Sequence, residues 1–201
     1  MSPRAAPRFF IAESDPPSKQ AILDAALKLF VRHGLSGTNV RMIAEAAGYT
    51  NPAMFKFFDS KEALALYLFE RCYLRLHGPV AAAATRPEFG EALAGVVDAF
   101  LAAMEEDLEA VLFVQDTLRE LWPRLPASVR RRSILRELRA LVERGLRGGA
   151  VMGYASPDVP VAALVGVVAQ LGRMIYFGEV ARPARAHGAE LVVALTRLMK
   201  G

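Results

Sequence analysis

Residues 38–61, TNVRMIAEAAGYTNPAMFKFFDSK, hold two short helical patterns that meet at a glycine. Val40, Ile43, Ala44 and Ala47 recur at helical spacing, Arg41 and Glu45 fall on the wet side, and Gly48 follows the last turn, where a left-handed residue closes a helix. Thr50, Asn51 and Pro52 then read as a new helix start, a capping oxygen followed by a proline whose missing N–H costs nothing in a first turn. Either Thr50 or Asn51 can be the cap. If Thr50 caps, its oxygen must take the Ala53 N–H, because Pro52 has none; if Asn51 caps, Pro52 is the first helical residue. The helix has room for about two turns before Asp59 or Ser60 offers another cap, with Glu62 in the acid-favouring first turn beyond it. Two helices joined by a glycine-containing turn fit a helix-turn-helix, whose second helix can enter a major groove.

The wording is more specific than the geometry. Gly34, Thr38, Ile43-Ala44, Ala47-Gly48, Thr50, Met54, Phe55, Phe57-Phe58 and Lys61 resemble, in order and without gaps, the N-terminal DNA-binding domain of TetR-family transcriptional regulators over roughly residues 18–65. The resemblance implies an all-α chain with an N-terminal three-helix helix-turn-helix domain and a C-terminal helical ligand-binding and dimerisation domain. By the same resemblance, Thr38, Thr50 and Lys61 position the DNA backbone, while Arg41, Asn51, Pro52 and Lys56 face base edges or nearby phosphates. The family usually carries tyrosine where this chain has Phe55. Without the hydroxyl, Phe55 offers packing or contact with a thymine methyl, not a phosphate bond.

Upstream, residues 1–17 contain four prolines and no sustained period, which predicts a flexible arm that could offer Arg4 or Arg8 to a minor groove. Ser18 is the expected cap of a first helix lined by Ile22, Ala26, Leu29 and Phe30 and ended by His33-Gly34, and Phe57 and Phe58 are expected to close the small core. The reading domain is therefore bounded at 18–65, and residues 66–201 form the second domain. Downstream, a long helix runs from Ser60 toward Gly78-Pro79, and others cover 88–104, the stretch around 112–117 and 128–147. Of the last two, about 157–177 is apolar nearly all round and 184–199 is rich in Ala, Leu and Val. A helix apolar all round must be covered all round, which predicts a homodimer built on these two helices from each chain.

With 201 residues and 53% hydrophobic composition, the chain can fill a real core. One cysteine, Cys72, excludes an internal disulfide framework and suits the cytoplasm. The most apolar run, Val159 to Gly172, is shorter than the roughly 20 residues of a membrane span, so no membrane partner is expected. The net charge of +4 is unevenly placed: residues 1–70 hold eight basic against seven acidic side chains, whereas residues 119–147 hold nine arginines against three glutamates. DNA binding must then rest on placement and not on bulk charge.

No phosphate loop, nucleophile elbow or metal-ligand spacing is present, and His33, His77 and His187 lie in separate segments, so no enzyme, metal or cofactor is expected. The expected partners are a double-stranded DNA operator with a palindromic sequence and a hydrophobic small molecule that relieves repression. Phe100, Met104, Phe113, Trp122, Met174 and Phe177 are candidates for the wall of the ligand cavity, with Arg173 for an acidic group on the ligand. The competing class is an all-helical hydrophobic-ligand binding protein or enzyme that does not use DNA.

Overall fold

The computed structural model describes Arg8, residues 10–12 and residues 14–200. Among these the regular structure is entirely helical: α1 (Pro17–His33), α2 (Val40–Ala47), α3 (Asn51–Phe55), α4 (Lys61–Ala84), α5 (Phe89–Leu121), α6 (Ala127–Arg130), α7 (Ile134–Arg147), α8 (Asp158–Tyr176) and α9 (Gly188–Lys200). The chain divides into two compact units, Met1–Arg75 with Glu109–Leu125, and Leu76–Leu108 with Pro126–Gly201.

In the first unit, α1 buries Ile22, Leu23, Ala26, Leu27 and Phe30 against Ile43 and Ala44 of α2 and Met54 of α3. Gly34 and Gly48 end α1 and α2 with positive φ of 72° and 74°, which only glycine adopts without strain. At the other end of α2, the Asn39 side chain accepts the Met42 N–H at 3.0 Å. Helix α1 starts one residue earlier than its expected Ser18 cap, with Pro17 in the first turn, where a fixed φ suits helix entry. Ser60 caps α4 by accepting the Ala63 N–H at 3.0 Å.

Two helices differ from their sequence reading. Helix α4 continues through Pro79 instead of stopping there, because burial of Val80, Ala83 and Ala84 offsets the one backbone bond that proline removes. Helix α5 covers both expected segments but is broken at Asp107, whose φ of −158° and ψ of 87° are not helical. The residues after the break belong to the first unit, where Phe113 stacks on Phe30 at 5.8 Å between ring centres and meets Phe69 edge-on at 6.5 Å. Full burial of such a ring stabilises by about 1.5–3 kcal/mol.

In the second unit, Leu93, Val97, Leu101 and Met104 of α5, Leu138 and Val142 of α7, Leu164 and Val168 of α8, and Leu195 and Met199 of α9 are all buried. Gly172 permits the close approach of α8, since a Cβ there would lie 3.2 Å from the Met104 methyl. Helix α8 has 19 residues, and by length and composition it is apolar enough to cross a membrane, so the shorter run read from the sequence understated it. Only 33% of its most apolar window is buried within the chain.

The segment expected as a flexible arm is fastened wherever it is described. Arg4 lies outside the described residues, but Phe10 is 1% exposed and Arg8 is engaged by two carboxylates. Asp15 is buried. Its carboxylate accepts the Ala12 N–H and the Lys19 ammonium, both at 2.9 Å, with Arg71 3.4 Å away. Burial by itself would raise its pKa, but the bonds from Lys19 and Ala12 and the charges of Lys19 and Arg71 together hold it below the ordinary 3.8. A depressed carboxyl contributes stability that is complete above its unfolded pKa and is lost as pH falls through the folded one. Asp15→Asn should therefore lower stability at pH 7 by about 1–3 kcal/mol. The gap from the wild type should close below about pH 4, which thermal unfolding at stepped pH would measure.

Candidate nucleic-acid interface

Helix α3 has five residues, too few to persist unless packing holds them. Met54, 0% exposed, is its root, and the Phe57 and Phe58 N–H groups return to the Met54 carbonyl at 3.0 and 3.1 Å. Phe58 is buried, edge-on to Tyr67 at 5.2 Å, whereas Phe57 is only partly covered. Of the two expected closing rings, Phe58 does most of that work.

The start of α3 resolves the choice between Thr50 and Asn51. Thr50 is the flanking extended residue, and its backbone carbonyl, not its hydroxyl, takes the Ala53 N–H at 2.9 Å. The hydroxyl makes no cap bond, so it stays available on an exposed residue. Pro52 sits in the first turn as read. With Met54 turned inward, Thr50, Asn51, Pro52, Phe55 and Lys56 are all exposed, Phe55 by 51%. Tyr49, 40% exposed in the turn, joins this surface. Sequence reasoning passed over it, although a large aromatic beside a left-handed glycine has little room to turn inward.

Arg41 lies on α2 with its side chain 80% exposed, paired with Glu45 one turn on at 2.8 Å. The hydrogen bond and charge of Glu45 raise the Arg41 pKa, so the guanidinium stays charged. An ion pair this exposed is weak, and a phosphate can replace the carboxylate.

Thr38 and Lys61 are placed otherwise than the resemblance implied. Thr38 is 1% exposed, and its hydroxyl donates to the carbonyls of Gly34 at 2.8 Å and Leu29 at 3.2 Å. Lys61 donates to the carbonyls of Leu35 at 2.7 Å and Thr38 at 2.9 Å. Lys61 ties the α1–α2 loop to the first turn of α4 and Thr38 ties it to the end of α1, because that loop leaves carbonyls that helix ladders cannot satisfy. They shape the reading surface from beneath.

The seven ligand candidates are not brought together. Phe113 and Trp122 belong to the first unit, Phe113 between Phe30 and Phe69, and Trp122 against Tyr73 at 4.7 Å. The break at Asp107 is the reason, since it assigns the rest of α5 to the reading head. Phe100 and Met104 are buried in the second unit, Arg173 and Met174 are partly covered on α8, and Phe177 is 72% exposed at the end of that helix. Met174 borders an open groove of about 590 Å³ between α8 and α9, with Val167, Leu171, Leu191 and Ala194. Among the described residues no group of His, Cys, Asp and Glu could hold a metal ion.

Comparison with known proteins places these observations. Residues 22–68 match the bacterial regulatory proteins, tetR family. The HTH-type transcriptional repressor AcnR of Corynebacterium efficiens is 42% identical over 60 residues, 29% of this chain. That match spans about a third, 32%, of the relative's own length. Over nearly the whole chain the fold resembles the TetR family transcriptional regulator PfmR of Thermus thermophilus, with 23% identity, TM-score 0.72, and 88% and 97% of the two chains covered. It also resembles FadR of Bacillus subtilis, solved in complex with stearoyl-CoA, with 15% identity, TM-score 0.64, and 89% and 97% covered. Residues 22–68 are thus similar to the tetR family of bacterial regulatory proteins, and over nearly the whole chain the all-helical fold is that of these solved regulators.

Proposed function

We propose that this chain is a cytoplasmic, ligand-responsive transcriptional repressor, not an enzyme, which binds a palindromic operator as a homodimer and is released by a hydrophobic small molecule. The observation that carries the reading is the exposed face of Thr50, Asn51, Pro52, Phe55 and Lys56 on a helix rooted by Met54. Asn51 is suited to base edges, Phe55 to a thymine methyl, Lys56 and Arg41 to phosphates, and the Thr50 hydroxyl to either.

Pairing is supported by α8 and α9. Val159, Val167 and Val193 are 60%, 40% and 49% exposed, and the groove between the helices is lined mainly by apolar side chains. An isologous contact through these faces makes a four-helix interface and sets two reading heads on half-sites about 34 Å apart. The ligand is proposed to enter the second domain near Phe100, Met104 and α8, with Arg173 toward an acidic group. The stearoyl-CoA held by the FadR neighbour supports an amphipathic, anionic molecule. Release follows if that molecule prefers the conformation whose heads no longer match the half-sites.

Gel shifts against DNA upstream of the coding region test the reading; absence of saturable, salt-sensitive binding there and to palindromes selected from random duplexes would refute it. Lys56→Ala should weaken operator binding and reduce the salt slope by about one. Lys61→Ala, by contrast, should lower the melting temperature and leave the slope unchanged, since its ammonium is spent on two carbonyls. Val167→Glu should shift the protein from dimer to monomer in sedimentation and abolish tight operator binding while the far-UV spectrum stays helical.

A further inference from the structure

The described residues ahead of α1 are held at two places. Ile11 N–H donates to the Arg8 carbonyl at 2.9 Å and Asp15 N–H to the Ala12 carbonyl at 3.0 Å, so the chain turns twice in a few residues. At the near end Asp15 is held by Lys19 of α1 and Arg71 of α4, and Gln20 donates to the Asp15 carbonyl at 2.7 Å. Phe10 is buried between the two ends, with the Arg8 guanidinium 5.3 Å from its ring centre. At the far end, one Arg8 nitrogen donates to Asp24 of α1 at 2.9 Å and another to Glu109 of α5 at 2.7 Å. The Arg8 side chain is 17% exposed and each carboxylate 33%.

Glu109 lies two residues past the break in α5, in the first turn of the half that belongs to the reading-head unit. Another fastening between that half and α1 is the Phe30–Phe113 stack. Stacked rings resist separation but tolerate sliding, whereas a planar guanidinium shared by two carboxylates fixes direction. We infer that Arg8, Phe10 and Asp15 fasten a strap in which Arg8 is a positioning residue for DNA binding, locking α1, and the reading helix it packs against, to the second half of α5. The inference rests on the operator-binding reading above. Because α5 continues covalently beyond Asp107 into the second unit, the strap sets how firmly the helix carrying that connection grips the reading head. Loosening it lets the heads of a dimer accept half-sites at the wrong separation.

The test uses the full-length chain and an operator selected by the wild type from random duplexes, together with versions whose central spacer is lengthened or shortened by one base pair. The wild type should discriminate strongly among spacers. Arg8→Ala should lose most of that discrimination with an unchanged salt slope, and a D24N/E109Q double variant should behave the same way. Arg8→Lys, which keeps the charge but not the two-pronged geometry, should fall between. Full spacer discrimination in folded Arg8→Ala overturns the proposal, including the case where only its melting temperature falls. A salt slope reduced by about one in Arg8→Ala, with D24N/E109Q like the wild type, also overturns it and makes Arg8 a phosphate contact. If the wild type itself selects no palindrome, it is the operator-binding reading that has failed, an outcome distinct from these.

Discussion

A five-residue helix has almost no stability of its own, because nucleating a turn fixes several dihedral angles for few hydrogen bonds. Everything in the first unit answers that constraint. Met54 is the one inward side chain of α3, and its complete burial holds the helix in place. The Gly48 turn and the extended Thr50 aim it, and the returning N–H groups of Phe57 and Phe58 close its end. The outward residues are thereby released from structural duty, and a surface free of such duty can be spent on recognition.

Beneath that surface, polar side chains hold what hydrophobic burial cannot orient. Thr38 and Lys61 satisfy carbonyls at the end of α1 and in the loop to α2, so these two side chains, which the resemblance assigned to the DNA backbone, are engaged within the domain. The Asp15 cluster and the Arg8 bridge do the same for the chain ahead of α1. Charged side chains in such positions are weak sources of net stability but strong sources of direction.

The second unit follows a different logic. Its helices are apolar enough to fill a core and still leave apolar residues of α8, Val159 and Val167 among them, exposed on the chain. The uncovered face and the groove beside α9 are suited to a second copy of the chain. The α5 break at Asp107 marks the change from one logic to the other: Phe100 and Met104 ahead of it are core of the second unit, while Phe113 after it is core of the first unit, where half-buried Trp122 lies against Tyr73.

The sequence by itself determined the helical class, the glycine ends of α1 and α2, the start of α3 at Thr50-Asn51-Pro52, and the exposed set around Lys56. Each of these depends on neighbours within about four residues, through capping, backbone preference or helical period. Only the tertiary structure decided that Thr38 and Lys61 face inward, that Arg8 is pinned, and that Phe113 and Trp122 belong to a different unit from Phe100 and Met104. Those outcomes depend on partners distant in the chain, as Arg8 depends on Glu109 and Phe30 on Phe113, and no local pattern encodes which carbonyl, carboxylate or ring will be brought within reach.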